Sequence, residues 1–447
     1  MELKNKKIFF IGIGGVSMST LAKFAKELGA DVCGSDAIFS PKLLELERLN
    51  IKTFVGHKKE NLSKETQLVV YSSAILAENE ELVFAKSLGI KTISRAKFLS
   101  IICDKFETVI AVAGSHGKTT TVAMIATIFK NWGLKFTLHI GGDVKCDELN
   151  LGVGGNIFLT EACEYEKNFL QLKPTHSIIT NIDYDHVDTY KNSYEYKNAF
   201  CEFISRTSKL VVMEKGQVNN IKNAKCNTKI LKITKKHVKN VKMYKNACYQ
   251  FDFALDNKWY NFKLGVPGKF NVFNASKAIL FAYNFGVPVK TIQKSLIEFC
   301  GVSRRFESKG LFCGAEIFLD YAHHPTEIYE NIKLAKTIAK GKVFVVFEPH
   351  TFSRTKSFWN EFVDAFCFAD QVFIYPIYPA REKPICGVTS KSLAKDLHDS
   401  GIKSLFVSSF EDIKNNLTGV VKNGDILLIL GAGKIDVLAN FLCNYNR

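Results

Sequence analysis

A glycine-rich turn in the segment VIAVAGSHGKTTT has the composition and spacing of a phosphate-binding loop. An apolar run precedes the turn and good helix formers follow it, which predicts a joint between a buried strand and a helix. Glycines let backbone N–H groups approach phosphate oxygens, a lysine reaches terminal phosphates, and a threonine hydroxyl takes Mg²⁺. The pattern is the short G-x-x-G-K-T form, because Val112 stands where the longer form has its first glycine. We expect phosphate binding at Gly114, Ser115, His116, Gly117, Lys118, Thr119 and Thr120. The alternative is an ordinary strand–turn–helix joint with a solvated lysine.

Two further polar residues stand where the next predicted strands end. Glu161 follows the run NIFLT, and His186 lies in NIDYDHVDTY after another apolar run. Because ligands of open α/β sheets bind at the carboxyl ends of the strands, these side chains are expected near the phosphate loop. Each residue alone is more typical of a solvated loop. Together they predict a site for a hard divalent cation, shared with Thr119.

The last third of the chain carries a second set of candidate residues. DYAHHPTE follows the strand-like run EIFL, EPHTFSRT follows the next one, and SRRFE lies just before both. An arginine in such a place can contact a phosphate or a carboxylate through two hydrogen bonds. Adjacent histidines rarely bind one ion, so nucleotide contacts and a helix start at Pro325 both remain open. The candidates are Arg305, Asp320, His323, His324, His350 and Arg354.

The N-terminal segment contains a second glycine-rich turn. KKIFFIGIGG predicts a strand that enters a tight turn, and DVCGSD and QLVVYSS predict two further strands. The pattern G-x-G-x-x-S is a weak signal for dinucleotide binding, and a simple tight turn is the alternative. The residues at the expected strand ends are Gly12, Gly14, Gly15, Asp36 and Ser72.

These motifs fall into three α/β units. The expected units are a Rossmann-like domain over 1–104, a nucleotide-triphosphatase-like domain with a parallel sheet over 105–304, and a second Rossmann-like domain over 305–447. In each unit apolar runs alternate with helical patterns, which is typical of parallel sheets. A chain of 447 residues is long enough for three such domains.

Composition limits the function classes. No apolar stretch is long enough to span a membrane, and the N-terminal one is too short for a signal peptide, so a cytoplasmic location is expected. The twelve cysteines show no C-x-x-C pattern and are expected to be free thiols. The net charge is +16, but the lysine-rich run over 214–246 lacks the interleaved aromatic residues of a nucleic-acid binder. We therefore expect a solvated surface there, no nucleic-acid partner, and a preference for anionic substrates.

The sequence resembles the ATP-dependent Mur ligases of peptidoglycan synthesis. Eight strings carry the resemblance, in this order along the chain: GIGGVSMS, GSHGKTTT, TEACEY, NIDYDHVDTY, NVFNA, SRRFE, DYAHHPTEI and PHTFSRT. The resemblance covers nearly the whole chain, and its first and seventh strings are typical of the branch that adds L-alanine to UDP-N-acetylmuramate. It implies an amide-bond ligase in which ATP phosphorylates the lactyl carboxylate and the amine of L-alanine attacks the acyl phosphate. It also implies ATP and Mg²⁺ as cofactors, and a monomer or homodimer.

The resemblance assigns roles to residues of this sequence. The UDP-sugar would bind at Gly12, Gly14, Gly15, Asp36, Ser72 and His350. ATP would bind at the phosphate loop and at Asn271, Asn274, Arg305 and Asp320. The metal ligands would be Thr119, Glu161 and His186. The catalytic residues would be Lys118, Glu161, His186, His323, His324 and Arg354.

Three positions depart from the pattern expected of the family. Phe270 replaces a histidine before Asn271, Thr351 replaces an arginine, and Lys434 replaces an aspartate after the segment GAG. Three other functions remain open. One is the recycling ligase that attaches a whole tripeptide to the same UDP-sugar. Another is a nicotinamide dehydrogenase built on Gly12-x-Gly14, and the last is a non-catalytic UDP-sugar-binding protein.

Overall fold

Three parallel or mostly parallel sheets and one small antiparallel sheet build the chain in the computed structural model, which describes residues 2–142, 154–217 and 228–445. Part of the lysine-rich run expected to be solvated lies outside the described residues. The predicted α/β class with parallel sheets in three domains is confirmed. Among the described residues, no helix is both long enough and apolar enough to cross a membrane.

The first sheet has five parallel strands in the order β3-β2-β1-β4-β5. The central runs KIFFI and LVVY are buried on both faces, as a parallel sheet with helices on each side requires. Its strands are β1 Lys7–Ile11, β2 Asp31–Asp36, β3 Lys52–Val55, β4 Leu68–Tyr71 and β5 Lys91–Ser94. Its helices are α1 Val16–Glu27, α2 Pro41–Arg48, α3 Glu80–Ser87 and α4 Arg95–Cys103.

The second sheet has six parallel strands in the order β11-β10-β9-β6-β8-β7. Its strands are β6 Thr108–Ala113, β7 Thr137–His139, β8 Ile157–Glu161, β9 His176–Ile179, β10 Leu210–Glu214 and β11 Lys229–Ile233. The helices of this part of the chain are α5 Lys118–Asn131, α6 Ser193–Ser205, α7 Phe270–Asn284 and α8 Val289–Glu298. Helix α5 is buried along almost its whole length, so its first turn is held rigidly at the sheet edge.

A three-stranded antiparallel sheet follows the second sheet, and sequence analysis did not predict it. Its strands are β12 Val238–Lys245, β13 Cys248–Leu255 and β14 Lys258–Pro267. Alternate residues such as Phe251, Phe253 and Phe262 are buried in the core that also includes α7 and α8. The sheet leads the chain directly into α7, which carries the predicted asparagine pair.

The third large sheet has six strands in the order β15-β16-β20-β17-β18-β19, and β15 is its antiparallel edge. Its strands are β15 Glu307–Phe312, β16 Ala315–Asp320, β17 Val343–Glu348, β18 Gln371–Ile374, β19 Ser404–Phe406 and β20 Ile426–Gly431. Its helices are α9 Pro325–Ile338, α10 Phe352–Ser357, α11 Trp359–Ala365, α12 Ser390–Asp399, α13 Phe410–Leu417 and α14 Asp436–Tyr445. The expected boundaries near 104 and 304 lie between the sheets.

The first and second sheets share an apolar contact through α1. Phe24 of α1 lies with its ring centroid 5.8 Å from that of Phe158 on β8, and both side chains are buried. By contrast, many contacts between the second and third sheets are charged and polar, as described below. The third domain therefore docks on the second through ion pairs as well as through apolar contacts such as that of Tyr184 with Phe358.

Candidate active site

The phosphate loop between β6 and α5 needs both of its glycines for steric reasons. Gly114 has a φ of +137°, and a Cβ there would lie 2.0 Å from Thr180 Oγ1. Gly117 has a φ of +76°, and a Cβ there would lie 2.4 Å from Asn274 Oδ1. Helix α5 begins at Lys118, so its unpaired N–H groups and its positive dipole end face the loop. The predicted strand–turn–helix geometry of an anion site is present.

Lys118 is held by three oxygen acceptors within this loop. Its Nζ donates to Gly114 O at 2.5 Å, to Ser115 O at 3.2 Å and to Glu164 Oε1 at 2.8 Å. Burial lowers the pKa of Lys118, but the Glu164 carboxylate more than offsets this and the pKa lies above its usual value. The lysine is therefore charged and is aimed at the site where phosphates are expected.

Glu164 connects Lys118 with His186, and sequence analysis missed it. Its side chain is fully buried, and its Oε1 also lies 3.3 Å from His186 Nε2. The expected partner of His186 was Glu161, but Glu161 Oε1 accepts the N–H of Gly141 at 2.9 Å. The difference arises because the chain turns after β8 and directs the second acidic residue of TEACEY inward. The string TEACEY contains two glutamates after the strand, and the presence of the second one is the signal that could have identified Glu164.

The residues at this centre fit a hard divalent cation. Glu164 Oε2 is buried and has no hydrogen-bond partner among the described residues, so one carboxylate oxygen remains to be satisfied. Carboxylate oxygens suit Mg²⁺, and a buried polar atom without a partner is rare in native proteins. The prediction that Thr119, Glu161 and His186 are metal ligands stays a prediction, with Glu164 as an additional donor.

A charged cluster joins the phosphate loop to the third domain. His116 Nε2 lies 2.9 Å from Asp183 Oδ2, and His116 Nδ1 lies 3.2 Å from Glu327 Oε1. Burial lowers the pKa of His116, but the Glu327 and Asp183 carboxylates outweigh it and raise the pKa to about 9. Thr326 Oγ1 donates to Asp183 at 2.8 Å, and Arg305 lies 3.6 Å from Glu327. His116, Asp183 and His324 are close enough to share a metal ion, but their hydrogen bonds already pair them.

A buried ion pair forms a second link between these domains. Arg354 Nε and Nη2 each lie 2.9 Å from Asp185 Oδ1, and the two residues are 6% and 3% exposed. Arg354 Nη1 lies 3.0 Å from His350 Nδ1. Burial raises the pKa of Asp185, but Arg354 holds it well below its usual range. Arg354 was expected to contact a phosphate or a carboxylate, and in this structure it contacts the carboxylate beside His186.

The two histidines after Asp320 have different surroundings. His324 caps α9: its Nδ1 accepts the N–H of Thr326 at 3.3 Å, and its Nε2 lies 3.2 Å from Tyr184 O. His323 Nδ1 donates to Tyr321 O at 2.9 Å, and burial with Arg354 nearby lowers the pKa of His323 to about 3. The helix start at Pro325, one of the two readings left open, is confirmed.

A cavity of about 360 Å³ opens beside the phosphate loop. The second domain contributes His116, Gly117, Thr120, Asn271 and Asn274 to its walls, and the third domain contributes Arg305 and Asp320. Phe270, which departs from the family pattern, lines the cavity with Phe273 and Val302, so its ring adds apolar surface. Apolar walls with a few convergent polar groups are typical of a small-molecule site. Seven of the eleven residues expected to bind the cofactor thus border one space.

The other two departures, Thr351 and Lys434, lie in turns outside the phosphate loop. Thr351 caps α10, since its Oγ1 accepts the N–H of Arg354. The backbone N–H groups of Ile435, Lys434 and Gly433 face the Glu348 carboxyl group and oppose a rise in its pKa. Burial raises the pKa of Glu348 to about 7. Neither departure removes a contact of the phosphate loop.

The glycine turn of the first domain forms a separate part of the site. Asp36 Oδ2 accepts the N–H of Gly14 at 2.9 Å, and Gly12 has a φ of +83° with Ser72 next to it. Gly15 is the N-terminal cap of α1, so the turn also presents a helix N-terminus. Asp36 therefore fixes the turn in this structure. The predicted UDP-sugar contacts of these residues remain predictions, as does that of His350.

A hydrogen-bond chain connects the first domain with the strand that carries Glu161. Arg95 Nη1 donates to Ser17 Oγ at 3.1 Å, and Ser17 Oγ lies 2.8 Å from His139 Nε2. His139 Nδ1 lies 2.9 Å from Thr160 Oγ1, directly before Glu161. Burial lowers the pKa of His139 to about 3, so the ring is neutral. This series of hydrogen bonds fixes the position of the first domain relative to the strand that carries Glu161.

A phosphate loop, an adjacent carboxylate–histidine centre and a cavity shared by two α/β domains define a nucleotide-using enzyme site. Family models match this chain in three consecutive parts: the Mur ligase family, catalytic domain, over 7–107; the Mur ligase middle domain over 112–282; and the Mur ligase, glutamate ligase domain, over 304–433. The chain belongs to the Mur ligase family.

Individual relatives agree with this assignment. The chain is 39% identical to the UDP-N-acetylmuramate–L-alanine ligase of Clostridium botulinum (strain Langeland), covering 97% of this chain and 96% of that protein. It is 38% identical to the Clostridium tetani protein of the same name, covering 96% of each. The crystal structure of UDP-N-acetylmuramate-alanine ligase MurC from Thermotoga maritima superimposes with a TM-score of 0.81 at 28% identity, covering 98% of this chain and 99% of that one. A murein peptide ligase from Psychrobacter arcticus shares the fold, with a TM-score of 0.73 at 24% identity and 98% coverage of each chain.

Proposed function

We propose that this protein is an ATP-dependent ligase that joins L-alanine to the lactyl carboxylate of UDP-N-acetylmuramate in peptidoglycan synthesis. The observation that carries the proposal is the contact of Glu164 with both Lys118 and His186. Lys118 directly follows His116 and Gly117 of the loop, which line a cavity between two domains. The full-length similarity to proteins named for this reaction supports the choice of substrates. Because ATP and nucleotide sugars are cytoplasmic metabolites, we expect the protein to act in the cytoplasm.

A carboxylate oxygen is a poor leaving group, so amide formation requires activation of the lactyl carboxylate. ATP supplies the phosphoryl group that activates it, and Mg²⁺ would offset phosphate charge and orient the acceptor carboxylate. Lys118 and the backbone N–H groups of the loop bind the terminal phosphates and stabilise charge that develops during transfer. Thr119, Glu161, Glu164 and His186 are the residues that would hold the metal.

The acyl phosphate must be protected from water until the amine attacks it. The third domain does this by docking through Arg354, Glu327 and Thr326 on the residues around the phosphate loop. Exclusion of water also strengthens the electrostatic interactions inside the site. Docking of this domain is therefore part of the reaction.

His323 is better suited to orienting the amine of L-alanine than to removing a proton from it. Because Nδ1 donates to Tyr321 O, the neutral ring carries its lone pair on Nε2. A pKa of about 3 makes that nitrogen a weak base but leaves it a hydrogen-bond acceptor. His324 is already engaged as the cap of α9.

Phosphate release from ATP tests the proposal directly. With Mg²⁺ present, release should require both UDP-N-acetylmuramate and L-alanine, and omission of either should abolish it. Replacing L-alanine with the tripeptide distinguishes the recycling ligase, and release that requires the tripeptide would refute the choice of acceptor. Lys118→Met should abolish release, whereas Lys130→Met, at the exposed far end of the same helix, serves as the matched control. Light scattering determines whether the protein is a monomer or a homodimer.

A further inference from the structure

Glu164 has an environment that a purely structural residue does not need. The side chain is fully buried, its Oε1 contacts both Lys118 and His186, and its Oε2 has no hydrogen-bond partner in the described part of the chain. Leaving a buried carboxylate oxygen unsatisfied destabilises a fold, so such an oxygen is expected to have a partner in the working enzyme. Glu164 therefore has an acceptor oxygen that the described residues of the protein do not use.

The position of Lys118 shows what the first contact of Glu164 does. In this structure the ammonium group is bound by Gly114 O, Ser115 O and Glu164, and these acceptors satisfy its three protons. The lysine of a phosphate loop must reach the terminal phosphates when a nucleotide is bound. Phosphate oxygens and Glu164 therefore compete for the same ammonium group.

We propose that the Glu164 carboxylate is the counter-ion of Lys118 when no nucleotide is bound. When the phosphates of ATP bind Lys118, the carboxylate binds the divalent cation beside His186 instead. This inference rests on the proposed ATP-dependent function and adds one residue and one exchange to it.

The exchange follows from charge balance. A fully buried carboxylate that loses its ammonium partner must find another positive charge, because an isolated buried charge is strongly disfavoured. The nearby unpartnered Oε2 offers a cation the carboxylate oxygen it prefers, and the imidazole of His186 offers a nitrogen donor beside it. Tyr190 Oη donates to Glu164 O at 2.6 Å and fixes the backbone, so only the side chain has to turn.

The test measures binding rather than turnover. The full-length chain is titrated with a non-hydrolysable ATP analogue in the presence of EDTA, and then with Mn²⁺ at saturating analogue, with free Mn²⁺ followed by electron paramagnetic resonance. In Glu164→Gln, metal-free binding of the analogue should tighten severalfold, because Lys118 has lost its competing counter-ion. Binding of Mn²⁺ should weaken by at least about tenfold, because a ligand has been lost. Effects in opposite directions are the signature of the exchange.

Two matched variants separate the exchange from other roles. Glu161→Gln should weaken Mn²⁺ binding without tightening metal-free nucleotide binding, because Glu161 bonds to Gly141 rather than to Lys118. Glu166→Gln, at an exposed position two residues on, should change neither. If Glu164→Gln fails to fold in a thermal melt, Glu164→Asp takes its place. Its carboxylate is one methylene shorter and is held farther from Lys118, so that variant should show a smaller tightening of metal-free binding and keep part of the Mn²⁺ affinity.

The outcomes distinguish failure of the exchange from failure of the proposed function. If Glu164→Gln weakens the metal-free affinity for the analogue and the affinity for Mn²⁺ equally, the residue has a structural role and the exchange is overturned. If neither affinity changes, the exchange is overturned as well. If the wild-type chain does not bind the ATP analogue at all, the proposed function itself fails and the exchange fails with it.

Discussion

Substitution of Asp185 by asparagine should undock the third domain without unfolding the chain. Asn keeps an oxygen for the backbone N–H of His186, which Asp185 Oδ1 accepts at 2.7 Å, but it removes the charge opposite Arg354. Both partners are almost completely buried, and they lie on different domains. The variant therefore leaves an uncompensated guanidinium at the domain interface.

The size of the effect follows from this burial. Breaking a buried ion pair by neutralising one partner costs about 3–5 kcal/mol, compared with at most about 1 kcal/mol for an exposed pair. Because the cost falls on docking, the ratio of docked to undocked chains should drop by roughly two to three and a half orders of magnitude. Ligase turnover should fall with it, since the cavity loses one of its walls.

Small-angle scattering and limited proteolysis of segment 299–307 measure this docking. The radius of gyration and the cleavage rate should both rise in Asp185→Asn. Glu202→Gln is the matched control, because it breaks an exposed ion pair in which Glu202 Oε1 lies 2.7 Å from Arg206 Nη2. It should change neither the radius of gyration nor the cleavage rate. Adding Arg354→Met to Asp185→Asn removes the orphaned charge and should restore much of the docking. An Asp185→Asn chain with wild-type scattering and cleavage would refute the assignment of this pair as a domain link.

Three further predictions follow from the site. Lys118→Met should abolish ATP-dependent phosphate release but leave the affinity for UDP-N-acetylmuramate unchanged in calorimetry; a parallel loss of UDP-sugar affinity would contradict separate sites. Domain docking should weaken as the pH rises through about 9, because the pKa of His116 is raised to about 9 from its usual value, so its contribution is complete below about 6.5 and is lost above 9. His116→Asn should remove this pH dependence in the proteolysis assay, and an unchanged profile would exclude His116 as its source. Gly117→Ala should weaken ATP binding by more than about tenfold, because strain at a φ of +76° is added to a Cβ 2.4 Å from Asn274 Oδ1. Gly133→Ala has the same φ of +76° but no atom within 4 Å of its Cβ, so it should lower stability by only about 1 kcal/mol and leave ATP binding intact, as thermal melts and calorimetry can show.

The features that sequence analysis predicted well depend on local rules. Ligands of parallel sheets bind at the carboxyl ends of the strands, which is why Lys118, His186 and Asp320 could be placed near strand ends from the sequence. Pro325 after His324 marks the first turn of a helix for a similarly local reason. The family resemblance then supplied the identity of the substrates, which no periodicity contains.

The features that it missed depend on geometry after the strand or on distant parts of the chain. Glu161 and Glu164 are chemically equivalent in the string TEACEY, and the turn Tyr165–Gln171, with Glu166 and Lys167 at positive φ, follows directly after the inward-facing carboxylate. Arg354 meets Asp185 across 169 residues, a contact that neither segment predicts.

The antiparallel sheet is a different case, because its signal was present in the sequence. Phe251, Phe253 and Leu255 alternate with outward-facing residues, and Asp256-Asn257 forms the turn of the hairpin at positive φ. The period of two is confined to short strands that follow the lysine-rich run over 214–246, whose composition is typical of a solvated surface.

The shared walls of the nucleotide cavity impose an order of events in time. Arg305 and Asp320 of the third domain line the same space as Gly117 and Asn274 of the second, so a nucleotide bound there contacts both domains. We expect the two domains to separate before ADP leaves, so turnover should fall as solvent viscosity rises even though the phosphoryl transfer itself is unaffected.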